Sequence, residues 1–450
     1  MPAASSVSPR FLLGSPRSPL DERGLARLVA TDPAPQTLRG RVLCPRAGEP
    51  RFVELADAVI ELDGAGRIAS VGPAPPGCAV PETHPGAVLL PGFVDTHVHF
   101  PQTRVLGSAS GPLLEWLERS IFPEEARFAD RAYAEAVARE LCDALIAQGT
   151  TCAAIYSSSH PGATDALFAE LDRRGLRGFA GLTLMDRGAP PENLLEADLA
   201  LEACAELHAR WHGHDRGRLA FSVIPRFALS CSEALLRGAA DFAARHGLLV
   251  QTHISENKDE IRATTAAFPE HADYLDVYER HGLVSARTIL AHCIWLSPSE
   301  WDRLAARDVA VAHCPDSNFF LGSGCMPLAR AAARGIRIGL GTDVGAGRTF
   351  SLRRVAAAAY DAALIVDARV SPEALLWRAT TGGAQALGLA GVTGRIAAGL
   401  DADLVAVDAP PGVSGAPLFD HLLFRHDAGL VRATYVRGRR LDAPAGTPAR

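Results

Sequence analysis

The middle of the chain alternates short apolar runs with amphipathic stretches. Eight runs stand out, at residues 93–99, 151–156, 178–185, 219–224, 248–253, 288–292, 309–313 and 337–342. Their length and bounding turn residues predict strands. Between the first two, residues 130–148 predict a helix. Asp130 is its N-cap, Tyr133, Val137, Leu141 and Leu145 form its apolar stripe, and Gly149 follows its end. Repeated strand–helix units predict an α/β fold, a (β/α)8 TIM-type barrel over residues 90–390. Residues 37–89 and 391–445 have a different texture, short strands with Gly- and Pro-rich turns, as in Val59-Ile60-Glu61-Leu62 before Gly64-Ala65-Gly66. Two such pieces flanking a barrel predict one small β-sandwich built from both ends of the chain. Residues 1–36 carry Ser-Pro and Ala-Pro steps with little periodicity and predict a mobile tail.

Composition narrows the class. A chain of 450 residues, 48% hydrophobic, has room for a catalytic domain and a smaller one. A net charge of −6 gives no reason to expect nucleic acid or an anionic membrane as partner. No apolar run reaches the length of a membrane span, and the best candidate, 355–366, is broken by Asp361. Nine cysteines without a Cys-x-x-Cys predict free thiols and a reducing, cytoplasmic setting.

The candidate chemistry sits at the strand ends. Residues i and i+2 of a strand share a face, so Asp95, His97 and His99 point the same way in Phe93–His99. A barrel builds its active site at the C-terminal ends of its strands. Those ends carry His97, His99, Tyr156, Asp186, Arg226, His253, His292, His313 and Asp343. His97, His99, His253 and Asp343 make a ligand set of three imidazoles and a carboxylate, which suits zinc with one position left for water. Iron is the alternative metal. His292 is left over and can orient that water. His313 has both a structural and a functional reading. His246, His271 and His281 stand in polar, helical or loop contexts and read as surface residues. Some barrel hydrolases hold two metals bridged by a modified strand lysine. The single lysine here, Lys258, lies past the fifth strand in a polar run, which favours one metal per subunit.

Several segments resemble a known family. The run Pro91-Gly92-Phe93-Val94-Asp95-Thr96-His97-Val98-His99 is similar to the amidohydrolase superfamily. The more specific segments are Phe100-Pro101-Gln102-Thr103, Pro225-Arg226-Phe227-Ala228, Thr252-His253-Ile254-Ser255-Glu256-Asn257-Lys258, His313-Cys314-Pro315-Asp316-Ser317-Asn318 running into Phe320-Leu321-Gly322-Ser323-Gly324, and Gly341-Thr342-Asp343-Val344-Gly345-Ala346-Gly347. In order and spacing they resemble the guanine deaminase branch. Asp316 departs from the pattern, standing where a small hydroxyl residue is expected. The resemblance implies the terminal β-sandwich, the zinc site and a homodimer, with guanine as a small-molecule substrate converted to xanthine and ammonia in purine catabolism. It also implies the roles of the site residues. Glu256 carries a proton to a ring nitrogen and then to the leaving amine. Asp343 accepts a proton from the attacking water, and His292 holds the oxygen in line. Gln102, Arg226 and Phe227 contact the base, beside His99, His253, Glu256, His292 and Asp343. Arginine is a strong donor to O6, and a phenyl ring offers a face to the purine. Two bland alternatives stay open here: Arg226 paired to a carboxylate, and Phe227 as core. A related deaminase acting on another purine, a pterin, cytosine or a triazine shares the same ligands. The small zinc deaminases are set aside because the chain has no Pro-Cys-x-x-Cys.

Overall fold

The apolar runs of the middle segment all become strands in the computed structural model, which describes residues 36–109, 111–366, 368–426 and 431–442. They are β5 (Phe93–His99), β6 (Thr150–Tyr156), β7 (Arg177–Gly181) with its short continuation β8 (Thr183–Leu184), β9 (Leu219–Pro225), β10 (Leu249–Ile254), β11 (Thr288–His292), β12 (Ala310–His313) and β13 (Arg337–Leu340). They pair in parallel in the order β5-β6-β7-β9-β10-β11-β12-β13, with β8 on β9. Helices between them cover the outside, giving the (β/α)8 barrel. The first long helix, Arg131–Ala147, is capped by Asp130, whose carboxylate accepts from Ala132 N–H.

Closure of the barrel positions the site. Past β13 the chain runs beside β5, where Asp343 N–H donates to the His97 carbonyl at 2.8 Å and His99 N–H donates to the Val344 carbonyl at 3.1 Å. Buried Asp95 pins the same seam from below, accepting from Thr342 N–H at 3.0 Å and from the Thr342 hydroxyl at 2.5 Å. Gly341 permits the approach, because a Cβ there would lie 2.7 Å from the His97 Cβ.

The remaining strands come from the two ends of the chain: β1 (Thr37–Pro45), β2 (Phe52–Leu62), β3 (Ile68–Pro73), β4 (Glu82–Pro91), β14 (Leu404–Asp408), β15 (Val431–Val436) and β16 (Arg439–Leu441). They form one seven-stranded sheet, order β16-β15-β14-β4-β1-β2-β3, antiparallel except for the β1–β4 pair. Both faces are apolar, as period-2 alternation shows. Val88 and Leu90 of β4, with Val405 and Val407 of β14, join the barrel core. Ala87 and Leu89, with Leu404 and Ala406, join Leu38, Ile60 and Tyr435 in a core belonging to the terminal sheet itself. On this basis we propose the division into a terminal unit, 37–89 with 391–445, and a barrel, 90–390. The predicted tail lies outside the described residues except for Gln36.

A buried ion network ties barrel to terminal sheet. Arg177 of β7 donates to Asp401 at 2.6 Å and to Asp403 at 2.9 Å, and Arg437 meets the same Asp401 at 2.9 Å. Arg177 and Asp403 are almost wholly buried. Removing one partner of a buried pair strands the other charge, so Arg177→Ala is expected to destabilise by about 3–5 kcal/mol. Urea unfolding of the variant measures this, and a loss within about 1 kcal/mol would show that the network is energetically neutral.

Candidate active site

Four donors, three of them buried and His253 half-buried, meet at the mouth of the barrel. His97 Nε2 and His99 Nε2 each lie 3.2 Å from Asp343 Oδ1 and 3.1 Å from one another. His253 Nε2 lies 3.3 Å from His99 Nε2. His292 stands on the far side, its Nε2 3.8 Å from Asp343 Oδ2 and 3.4 Å from Glu256 Oε2. One donor atom each from His97, His253, His292 and Asp343 also falls within a 4.8 Å sphere of mutual distances. Five side chains therefore converge, and His99 and His292 compete for the fourth position. The shorter distances favour His99.

The donors suit a cation chemically. Burial, against the pull of Asp343, pushes His99 down to about 4, and burial with its imidazole neighbours holds His253 well below the usual histidine range. Both rings are thus neutral, with a lone pair available. Burial alone would raise Asp343, but hydrogen bonds from His97 and His99, with charge from His97 and His292, outweigh it and keep the carboxyl well below its ordinary value. The outer partners orient each ligand. His253 Nδ1–H donates to the Arg226 carbonyl at 2.6 Å, His292 Nδ1 bonds Asn318 Oδ1 at 2.9 Å, and the Ser317 hydroxyl donates to Asp343 Oδ2. His292 Nε2 is buried and makes no hydrogen bond within the protein. The backbone is left-handed at Ser255, His292, Cys293 and Asp343, so strained turns gather at this site.

Glu256 is held at the cavity wall. Its Oε1 accepts from the Ser323 hydroxyl at 2.9 Å. Burial, with Asp343 nearby, raises its carboxyl to about 8. Glu260, one turn on, accepts the Glu256 and Asn257 N–H groups at 2.9 and 3.1 Å and takes the Tyr274 hydroxyl on its other oxygen at 2.7 Å. It completes a capping box with Asn257 at the start of helix Lys258–Ala267.

A cavity opens in front of these groups. Gln102, Arg226 and Phe227 line it, together with His99, His253, His292, Glu256 and Asp343. Leu113, Trp116 and Leu117, from the long connection between β5 and β6, roof it with Leu321. Both bland alternatives are realised. Arg226 faces the cavity and is paired to buried Glu125. Phe227 faces the cavity and packs into the apolar roof cluster.

Other strand-end residues do not join the site. Asp186 accepts from Ser232 N–H at 2.7 Å and serves its own loop. Tyr156 lies against the imidazoles, 4.6 Å from the rings of both His97 and His99, without lining the cavity. His313 is fully buried, and neither ring nitrogen has a hydrogen-bond partner in the protein. The surface reading is corrected for two histidines. His281 is buried and bonds the Val277 carbonyl at 2.6 Å, and His271 stacks on it at 5.6 Å. They flank the short helix Tyr274–Arg280 and meet across it, a contact that local polarity does not reveal. Asp316, the departure from the expected pattern, pairs with Arg348 and accepts its N–H at 2.6 Å, fixing the turn after Asp343. Sequence alone assigns no role to Glu125, Glu260, Asn318, Ser323 or the apolar roof. Glu260 carries a local signal, the Asn257-x-x-Glu260 capping pattern, and Asn318 and Ser323 lie in segments that carry the family resemblance.

The amidohydrolase family model matches residues 88–441, so the chain belongs to the amidohydrolase family. Within it, similar proteins include several named guanine deaminases. The protein named "Probable guanine deaminase" in Deinococcus radiodurans is 44% identical over 350 residues, 76% of this chain and 79% of that one. The guanine deaminase of Escherichia coli K12 is 38% identical over 324 residues, 72% of this chain and 73% of that one. Among solved structures, the guanine deaminase of C. acetobutylicum with guanine bound in its active site superposes with a TM-score of 0.85 at 29% identity, covering 91% of this chain and 100% of that one.

Proposed function

We propose that the chain is a guanine deaminase, hydrolysing guanine to xanthine and ammonia with one bound zinc. The observation that carries this reading is the shared cavity. The imidazole–carboxylate group, Glu256 and two side chains that can donate to an oxopurine, Arg226 and Gln102, line the same cavity. His97, His99, His253 and Asp343 are the residues that would hold the ion. When bound, zinc lowers the pKa of water toward neutrality and so makes a nucleophile available at pH 7. Attack at C2 would build negative charge on the purine, so a ring nitrogen must be protonated. Glu256 carries that proton and delivers the next one to the departing amine. Asp343 accepts a proton from the attacking water. His292, its Nδ1 fixed by Asn318, directs Nε2 at the oxygen. Arg226 donates to O6, and Phe227 gives the base a flat apolar wall.

The same ligand group on iron, or a related cyclic amidine as substrate, is the alternative reading. All nine cysteines are free, which supports a reducing, cytoplasmic setting. No helix among the described residues is long and apolar enough to cross a membrane. The homodimer belongs to the same proposal, and a sizing experiment at twice the chain mass tests it.

Arg226→Ala tests the substrate reading. A lost hydrogen bond to a buried acceptor costs about 1–3 kcal/mol, so kcat/KM on guanine is expected to fall roughly ten- to a hundred-fold or more. Metal content stays at the wild-type level. Glu125 loses its partner, so a lower thermal midpoint accompanies the change. Unchanged kcat/KM on guanine would remove Arg226 from the substrate contacts.

A further inference from the structure

One buried carboxylate holds both polar substrate contacts. Glu125 lies on the short helix Phe122–Ala126, in the connection that also carries the apolar roof, and is 1% exposed. Its Oε1 accepts from Gln102 Nε2 at 3.1 Å, and its Oε2 accepts from Arg226 Nη1. The carboxamide of Gln102 is committed at its other end as well, where Oε1 accepts from Gly345 N–H at 2.9 Å. An ionised carboxylate only accepts, and a backbone N–H only donates. The amide orientation of Gln102 is therefore fixed. Its oxygen is turned to Gly345, and its nitrogen, with one N–H bonded to Glu125, keeps a second N–H free. The group that lines the cavity beside Arg226 is a donor.

We infer that Glu125 is a positioning residue that sets Gln102 and Arg226 side by side as two donors, and so sets the preference for a 6-oxopurine over a 6-aminopurine. The inference rests on the guanine deaminase reading. Guanine presents two adjacent acceptors, O6 and N7, on one edge, whereas a 6-aminopurine presents a donor next to N7. A donor pair mates with the first edge and leaves an unpaired donor–donor contact with the second. Sites that hydrogen-bond one group discriminate strongly against an analogue that cannot pair.

Replacing Glu125 by glutamine makes these preferences conflict. Arg226 only donates, so the new amide must turn its oxygen to Arg226 and its NH2 to Gln102. Gln102 then meets NH2 with NH2. It can flip, but its own NH2 then faces Gly345 N–H. The orientation of Gln102 is no longer fixed, and in its flipped state it offers the cavity an acceptor.

The test compares guanine with 2,6-diaminopurine, which keeps the amine at C2 and replaces O6 by an amine. Hydrolysis of either breaks the C2–N bond, forms a C2–O bond and releases ammonia. In metal-loaded Glu125→Gln, KM for guanine is expected to rise at least tenfold with a smaller change in kcat. The ratio of kcat/KM for guanine over 2,6-diaminopurine is expected to narrow at least tenfold, with zinc content unchanged. Glu125→Asp keeps two acceptor oxygens and falls between wild type and Glu125→Gln. It carries the test alone if the glutamine variant does not fold. In a Gln102→Met background, adding Glu125→Gln narrows the ratio much less than in wild type, because most of the effect runs through Gln102. A wild-type KM and ratio in Glu125→Gln, or in Glu125→Asp when that variant stands alone, overturns the inference and leaves the guanine reading intact. Wild-type protein that ignores guanine overturns both.

Discussion

Glu256→Gln is expected to retain its zinc and lose most of its turnover. The carboxyl group is fixed on several sides. Ser323 donates to one oxygen at 2.9 Å, His292 Nε2 stands 3.4 Å from the other, and Glu260 holds the Glu256 N–H at 2.9 Å. Glutamine has the same size and can still accept from Ser323, so the geometry of the wall survives. What it lacks is a transferable proton. The proposed reaction needs one at the ring nitrogen and another at the leaving amine, both from this position. General acid–base catalysis contributes roughly 10²–10⁴-fold, and a group that acts in two steps loses at least that much kcat. Binding of guanine or xanthine, followed by fluorescence or calorimetry, stays near the wild-type value. A near-normal kcat would reduce Glu256 to a buried structural charge. Loss of zinc would place it among the ligands and merge two roles kept separate here.

Asp343→Ala is expected to abolish both metal and activity. Asp343 is the one carboxylate in the ligand set, 3.2 Å from both His97 and His99, with its backbone N–H tied to His97 and its outer oxygen held by Ser317. Imidazole ligates a metal as a neutral donor, so alanine here removes the ligand charge that balances the cation. Outer-shell partners of a metal contribute roughly 10–100-fold in affinity, and a direct ligand contributes more. Elemental analysis is expected to give about one zinc per wild-type chain and well below that in the variant. Two metals per wild-type chain, both needed for turnover, would contradict the single-metal reading.

The proposed metal donors are legible in the sequence because topology gathers them. Each stands at the C-terminal end of a strand, and a closed parallel barrel brings all such ends together whatever their distance along the chain. His97 and Asp343 are far apart in sequence, yet barrel closure makes their backbones hydrogen-bonded neighbours. Glu125 was not legible. It is one of several acids, with Glu115, Glu118 and Glu124, in a connection without strong periodicity, and only its burial against Arg226 and Gln102 distinguishes it. Glu260 was half legible, since Asn257-x-x-Glu260 announces a helix start but not that its carboxylate steadies Glu256. His271 and His281 misled for the opposite reason. Their neighbours in sequence are polar, while their neighbours in space are each other and Phe268.

The central claim is that this metal group and this donor pair together deaminate guanine. The most direct measurement is ammonia release by the metal-loaded protein from guanine, adenine, cytosine, 8-oxoguanine and ammeline, assayed side by side. Guanine is expected to give the highest kcat/KM, with xanthine as the second product in equal amount. Ammonia from cytosine or ammeline with none from guanine would contradict the account, leaving the barrel and its ligands to a different substrate.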